Sequence, residues 1–75
     1  MLAMTLMEVT YQLQQALAPE QLRRLGLIAN LYGIRRFWLD EQHNQIRIEY
    51  DGSRLREIDV AQALRAERIP VSKLA

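Results

Sequence analysis

The sequence predicts an α+β domain in which an antiparallel sheet carries two helices on one of its faces. Two observations predict it. Apolar residues alternate with polar ones, or nearly so, in separate segments around Met7–Leu13, Ile34–Asp40 and Ile46–Tyr50. Between and after these segments lie two stretches with helical signals, one opened by Pro19 and one closed ahead of Pro70.

In the first segment Met7, Val9, Tyr11 and Leu13 are apolar, while Glu8, Thr10 and Gln12 are polar. That period of two marks a half-buried strand. Pro19 then suits the first turn of a helix, where its missing N–H leaves nothing unbonded, and Glu20 favours the positive end of the helix dipole. The helix is expected to run to Tyr32 and stop at Gly33, the residue type that most readily adopts the left-handed terminal conformation.

Ile34 to Asp40 reads as the second strand, with Ile34, Phe37 and Leu39 facing inward. Strict alternation cannot turn all of these to one side, so a local irregularity is expected near Arg35 and Arg36. Glu41 to Gln45 is a polar turn. Ile46 to Tyr50 returns as a third strand, with Ile46, Ile48 and Tyr50 inward and Arg47 and Glu49 outward. Asp51-Gly52 signals a turn. A second helix should begin between Arg54 and Glu57 and end at Arg68, and Val71 to Leu74 is a short final strand. The order βαββαβ, with right-handed crossovers, is the ferredoxin-like arrangement in a single domain spanning residues 1–75.

The residues from Gly33 onward carry a more specific likeness. Gly33-Ile34, Phe37, Leu39, Asp40, Ile46, Ile48 and Tyr50-Asp51, followed by Ala63-Leu64 and Arg68-Ile69-Pro70-Val71, resemble the pattern of a heavy-metal-associated (HMA) domain. The resemblance covers about Met7 to Val71 and implies the same ferredoxin-like fold. It also implies a Cys-x-x-Cys metal clamp, and this sequence contains no cysteine. Counting back from Gly33, the clamp would fall at Leu17 and Glu20, neither of which supplies the thiolate that a soft monovalent ion prefers. Arg68 stands where the family has a glycine, which predicts a turn strained by about 1 kcal/mol or shaped differently.

Aligning the first helix to the family without a gap points Gln21, Arg24, Leu27, Ile28 and Leu31 inward. Its own apolar spacing offers a rival face of Leu22, Leu25, Ile28, Ala29 and Tyr32. Either choice leaves large apolar residues outside, which marks a wide buried stripe or a contact surface.

Composition narrows the functional classes. Half the chain is apolar (49%) and 25% is charged, which suits a folded domain, and a net charge of +1 gives no field to attract nucleic acid or anionic membrane. Lys73 is the one lysine among ten basic residues. Arginine's planar fork suits carboxylate and phosphate contacts, although codon usage on a solvated surface yields the same bias. The lack of cysteine excludes disulfides and thiolate sites and fits a cytoplasmic location. The start of the chain shows neither a signal peptide nor a membrane span.

Met1, Met4 and Met7 recur at every third position, but positions three apart on a strand face opposite ways, so core filling is the simpler reading. His43 beside Glu41 falls short of a zinc ligand set. Ser53 and Ser72 stand apart from any base, Asp40/Glu41 and Glu57/Asp59 read as turn and helix-surface carboxylates, and no phosphate-binding loop is present, so no catalytic residue and no cofactor is expected. The third strand lacks the aromatics with which RNA-recognition sheets stack bases.

Trp38 is different. With Phe37 and Leu39 inward, it lies on the open sheet face with Arg36, beside Arg47 and Glu49, and tryptophan flanked by arginine has the composition of an interface anchor. An unpartnered Arg–Trp stack is its ordinary structural counterpart. The sequence therefore predicts a non-catalytic HMA-like domain acting as a protein-interaction or self-association module through Arg36, Trp38 and Arg47 and through Leu27 and Leu31, with edge strands as a further route. The alternative is a metal-binding or transport accessory protein using non-cysteine ligands, for which Met4, Met7, Glu20 and His43 are the candidates.

Overall fold

Each alternating segment becomes a strand and each helical stretch a helix. The computed structural model describes residues 5–31 and 33–73. They form β1 (Leu6–Leu13), α1 (Pro19–Ile28), β2 (Ile34–Asp40), β3 (Gln45–Asp51), α2 (Glu57–Ala66) and β4 (Val71–Lys73). The strands make one four-stranded antiparallel sheet in the order β2-β3-β1-β4. This is the predicted ferredoxin-like α+β topology.

Register follows the alternation. Val9 lies opposite Ile48 and Tyr11 opposite Ile46, so one face of the sheet is apolar and meets the helices. The core joins Val9, Tyr11, Leu13, Ile46, Ile48 and Tyr50 of the sheet to Leu25 and Ile28 of α1 and Val60, Ala61 and Leu64 of α2. Ile69 and Val71 complete it on the far side. The irregularity expected in β2 is present. Ile34 pairs with Tyr50 and Arg36 with Glu49, so Arg35 is an extra residue that resets the alternation. That bulge allows Ile34, Phe37 and Leu39 to share one side.

The first helix departs from both expectations. It ends at Ile28, well short of Tyr32, which lies outside the described residues. Its final turn tightens, with the Asn30 and Leu31 N–H groups donating to Leu27 and Ile28 carbonyls at 3.2 and 2.9 Å. Ile34 N–H then reaches the Leu31 carbonyl at 3.1 Å, which draws the chain into β2 sooner than a longer helix would allow. Gly33 has the expected positive φ (98°) but sits in this connection, beyond the helix cap at Ala29.

The buried stripe of α1 mixes the two predicted faces. Leu25 and Ile28 are buried, Gln21 and Arg24 are half-buried, and Leu22, Leu27 and Leu31 are exposed. The polar members of the stripe contact the end of α2: Gln21 Nε2 donates to the Arg68 carbonyl at 3.1 Å, and Arg24 to the Glu67 carbonyl at 3.4 Å. An arginine and a glutamine thus replace apolar packing along one side of the helix.

The second helix spans fewer residues than predicted. At its start the Asp59 carboxylate accepts from Arg56 N–H at 2.8 Å. At its end Arg68 adopts φ 60°, the left-handed conformation expected where the family has glycine. Leu74, placed in the last strand by the sequence, lies outside the described residues, as do Met1 and Met4.

Candidate functional site

The face of the sheet away from the helices is built by alternation. Arg36 and Trp38 of β2, Arg47 and Glu49 of β3, and Glu8 and Thr10 of β1 share it, because each lies one residue from a core-facing neighbour. No helix of the described chain covers these side chains.

Trp38 is directly opposite Arg47, and the Arg47 guanidinium carbon stands 4.4 Å from the ring centroid. The Arg36 guanidinium carbon is 5.2 Å from the same ring. Arg36 Nε also donates to Glu49 Oε1 at 3.2 Å. The ring therefore holds two cations that would otherwise repel, with Glu49 balancing one of them. Glu49 is directly opposite Glu8 on β1, a like-charge pair that the Arg36 contact offsets. A shallow depression of about 220 Å³ continues from Trp38 and Arg47 toward Thr10, Asp40 and Gln45.

Leu27 and Leu31 do not join this cluster. They are 63% and 48% exposed, and they belong to the helical side of the molecule. Leu27 lines a groove of about 760 Å³ with Arg23, Arg24 and residues Ala66 to Arg68. The five predicted interface residues thus fall on two separate surfaces.

Of the non-cysteine ligand candidates, Met4 lies outside the described residues, and Met7, Glu20 and His43 are each engaged elsewhere. Met7 packs beside Gly52 at the start of β1, where its Cγ would lie 2.6 Å from a Cβ on that glycine. His43 sits in the β2–β3 turn, its Nδ1 2.9 Å from Asp40 Oδ2, and this hydrogen bond holds the Asp40 carboxyl below its ordinary range. Glu20 is paired with Arg23 and Arg24 at 3.1 and 3.6 Å. Among the described residues no group of three or more histidine, cysteine or acidic side chains is placed to hold an ion.

Two polar centres were not singled out from the sequence. The nearly buried Asp51 carboxylate accepts from Thr5 N–H, Ser53 N–H, Ser53 Oγ and Arg54 Nε, at 3.3, 3.0, 2.6 and 3.0 Å. The bonds from Ser53 above all keep its carboxyl below the usual range. Glu57, read as a surface carboxylate, instead accepts from the hydroxyl of fully buried Tyr11 at 2.5 Å, with Lys73 at 3.5 Å from its other oxygen. The available signal was Tyr11 itself, since an inward tyrosine must find a partner for its hydroxyl.

A scan against protein-family models finds no match, and a search of curated proteins finds none either. Among solved structures the chain is similar to oxidised MerP from Ralstonia metallidurans CH34. The TM-score is 0.78 and the identity 12%, covering 95% of this chain and 100% of that one. The two share the ferredoxin-like α+β fold. At that identity the likeness concerns the fold alone.

The resemblance read from the sequence places a metal clamp at Leu17 and Glu20, just before and at the start of α1. Here Leu17 is half-buried against the core, and Glu20 is neutralised by two arginines. Leu17 also lines a cleft of about 360 Å³ with Leu13, Leu22, Leu39 and the turn residues Asp40 and Glu41. This donor set does not fit a soft metal ion.

Proposed function

We propose that this chain is a non-catalytic HMA-like domain that works by binding protein, with the open sheet face as its recognition surface. The observation that carries this reading is the Arg36–Trp38–Arg47 cluster, a large aromatic ring with two guanidinium groups over it, on a face that no helix of the described residues covers. Tryptophan and arginine are enriched among the few residues that dominate binding at protein interfaces, where the ring gives area and the guanidinium gives directed donors. The stack also fixes the ring before a partner arrives, which lowers the entropy cost of association. Replacement of the clamp positions by Leu17 and an Arg-paired Glu20 supports a role carried by surfaces.

The test is affinity recovery of partners from the native cell with the wild-type chain and with Trp38→Glu, each checked by circular dichroism for an intact fold. Binding should be lost in the variant while its spectrum stays native-like. Equal recovery by both chains, or a wild-type chain that neither recovers protein nor associates with itself, would sink the reading.

A further inference from the structure

The geometry points to a second copy of this chain as an occupant of β2, paired antiparallel along its free edge with Trp38 opposite Trp38 of the other copy. This rests on the interaction reading above and names one partner for it.

β2 is one edge of the sheet and is bonded to a strand only through β3. The other edge, β4, is three residues long, so β2 with seven is the edge able to accept a strand. Its bulge lies at the Ile34–Arg36 end, which leaves residues 36–40 as a regular run paired in register with β3.

The charges along that run reverse from one end to the other. Arg35 and Arg36 stand at its start, Asp40 and Glu41 at and just beyond its end, and apolar Phe37, Trp38 and Leu39 between. In an antiparallel pair centred on Trp38, Arg36 faces Asp40 of the other copy, at both ends by symmetry. A pair centred on Arg36 would oppose two arginines, and one centred on Asp40 two carboxylates. Centring on Phe37 or Leu39 leaves Arg36 without an acidic residue opposite. Of these registers, the one centred on Trp38 sets Arg36 against a carboxylate.

The side chains are free enough to take part. Only Nε of Arg36 is held by Glu49, which leaves its terminal nitrogens as donors. Asp40 accepts from His43 N–H and Nδ1 with one bond to each oxygen, and a carboxylate has about four acceptor sites.

The core side of the same strand gives independent support. Phe37 and Leu39 are only half-buried, and Leu22, which shares a cleft with Leu39, is 41% exposed. In the Trp38-centred register, Phe37 lies opposite Leu39 of the other copy. The pairing thus covers apolar surface that the monomer leaves partly open, and it places the helices of both copies on one side of a continuous eight-stranded sheet. The contact is small, so the dimer belongs among weak, reversible associations.

The experiment is sedimentation equilibrium of the full chain, with Arg36→Glu and Asp40→Arg made singly and then mixed. Wild type should approach the dimer mass as concentration rises. Each single variant should weaken self-association by about tenfold or more. An equimolar mixture of the two should recover wild-type association, because both cross-strand pairs become attractive again. That recovery also shows that neither variant has lost its fold. Wild type that stays monomeric at its highest soluble concentration overturns the pairing, as does a dimer that the mixture fails to restore. The broader interaction reading stands or falls separately, on whether Trp38→Glu abolishes recovery of other proteins.

Discussion

Trp38 and Arg47 face each other across the β2–β3 pair, with the guanidinium carbon 4.4 Å from the ring centroid. Such a contact on a partly solvated face contributes about 0.5–1 kcal/mol beyond the apolar area it covers. A double-mutant cycle with Trp38→Ala and Arg47→Ala, followed by urea unfolding, should return a coupling energy of about that size. A coupling of zero would mean that the ring and the cation are neighbours without interacting.

Arg68 holds φ 60° at the end of α2, a conformation that costs about 1–2 kcal/mol for a residue with a Cβ. Its carbonyl accepts from Gln21 Nε2, a bond that needs no side chain at position 68. Arg68→Gly should therefore stabilise the domain by roughly 0.5–1 kcal/mol, after subtracting the extra freedom glycine gives the unfolded chain. Thermal unfolding would show an upward shift. Gly33 is the converse, because a Cβ there would lie 2.7 Å from Leu55 on top of an unfavourable φ of 98°. Gly33→Ala should destabilise by more than about 1 kcal/mol.

These two positions show what kind of information the sequence carried. Arg68 could be flagged because the family resemblance puts a glycine at its position, and the β2 bulge because the apolar residues broke a period of two. The bulge is a local pattern, and local patterns are legible. The end of α1 was not, since the tight last turn answers to the geometry needed to enter β2 and nothing in Leu31 or Gly33 announces it. The buried face of α1 was mixed for a related reason: Gln21 and Arg24 turn inward to bond the carbonyls of Arg68 and Glu67, partners far away in sequence. On the candidate surface, alternation placed Arg36, Trp38, Arg47 and Glu49 together on the open sheet face, and the helical spacing kept Leu27 and Leu31 apart from them on the helical side.

Leu64 of α2 is fully buried, whereas Leu27 of α1 is largely exposed. Leu64→Ala removes packed volume that the neighbours refill only in part, so it should cost about 2–5 kcal/mol, a large share of the stability of a domain this small. Leu27→Ala should change stability by no more than about 0.5 kcal/mol. Comparable losses at the two positions would mean that Leu27 is packed in solution, as it would be beneath a bound partner.

The Asp51 carboxylate, held below its ordinary range chiefly by Ser53, ties the β3–α2 turn to Thr5 at the start of β1. A depressed folded-state value means that its contribution is present above the unfolded carboxylate value near pH 4 and is lost as pH falls through the lower folded value. Stability should decline with acid in that window. Asp51→Asn should lower the melting temperature at neutral pH and flatten this acid dependence. An unchanged acid limb in the variant would assign the loss to another carboxylate.

At the opposite end of the pH scale, Tyr11 governs. Burial first, and the hydrogen bond to Glu57 second, raise its hydroxyl above the ordinary tyrosine range. The unfolded chain therefore loses that proton more readily than the folded one. Stability is fully present below about pH 10 and falls as pH climbs above the unfolded value toward the folded one. The Glu57 carboxylate makes the same point by charge, since a tyrosinate beside it would place two anions at hydrogen-bond distance, which the positive charges of Lys73 and Arg65 offset only in part. Tyr11→Phe removes the titrating group and should reduce the alkaline loss, while lowering stability near neutral pH by about 0.5–1.5 kcal/mol through the lost hydrogen bond to Glu57, which keeps Lys73 as its partner. Urea unfolding at pH 7 and above pH 10 measures both effects. An alkaline limb that survives in Tyr11→Phe would rule out Tyr11 as its source.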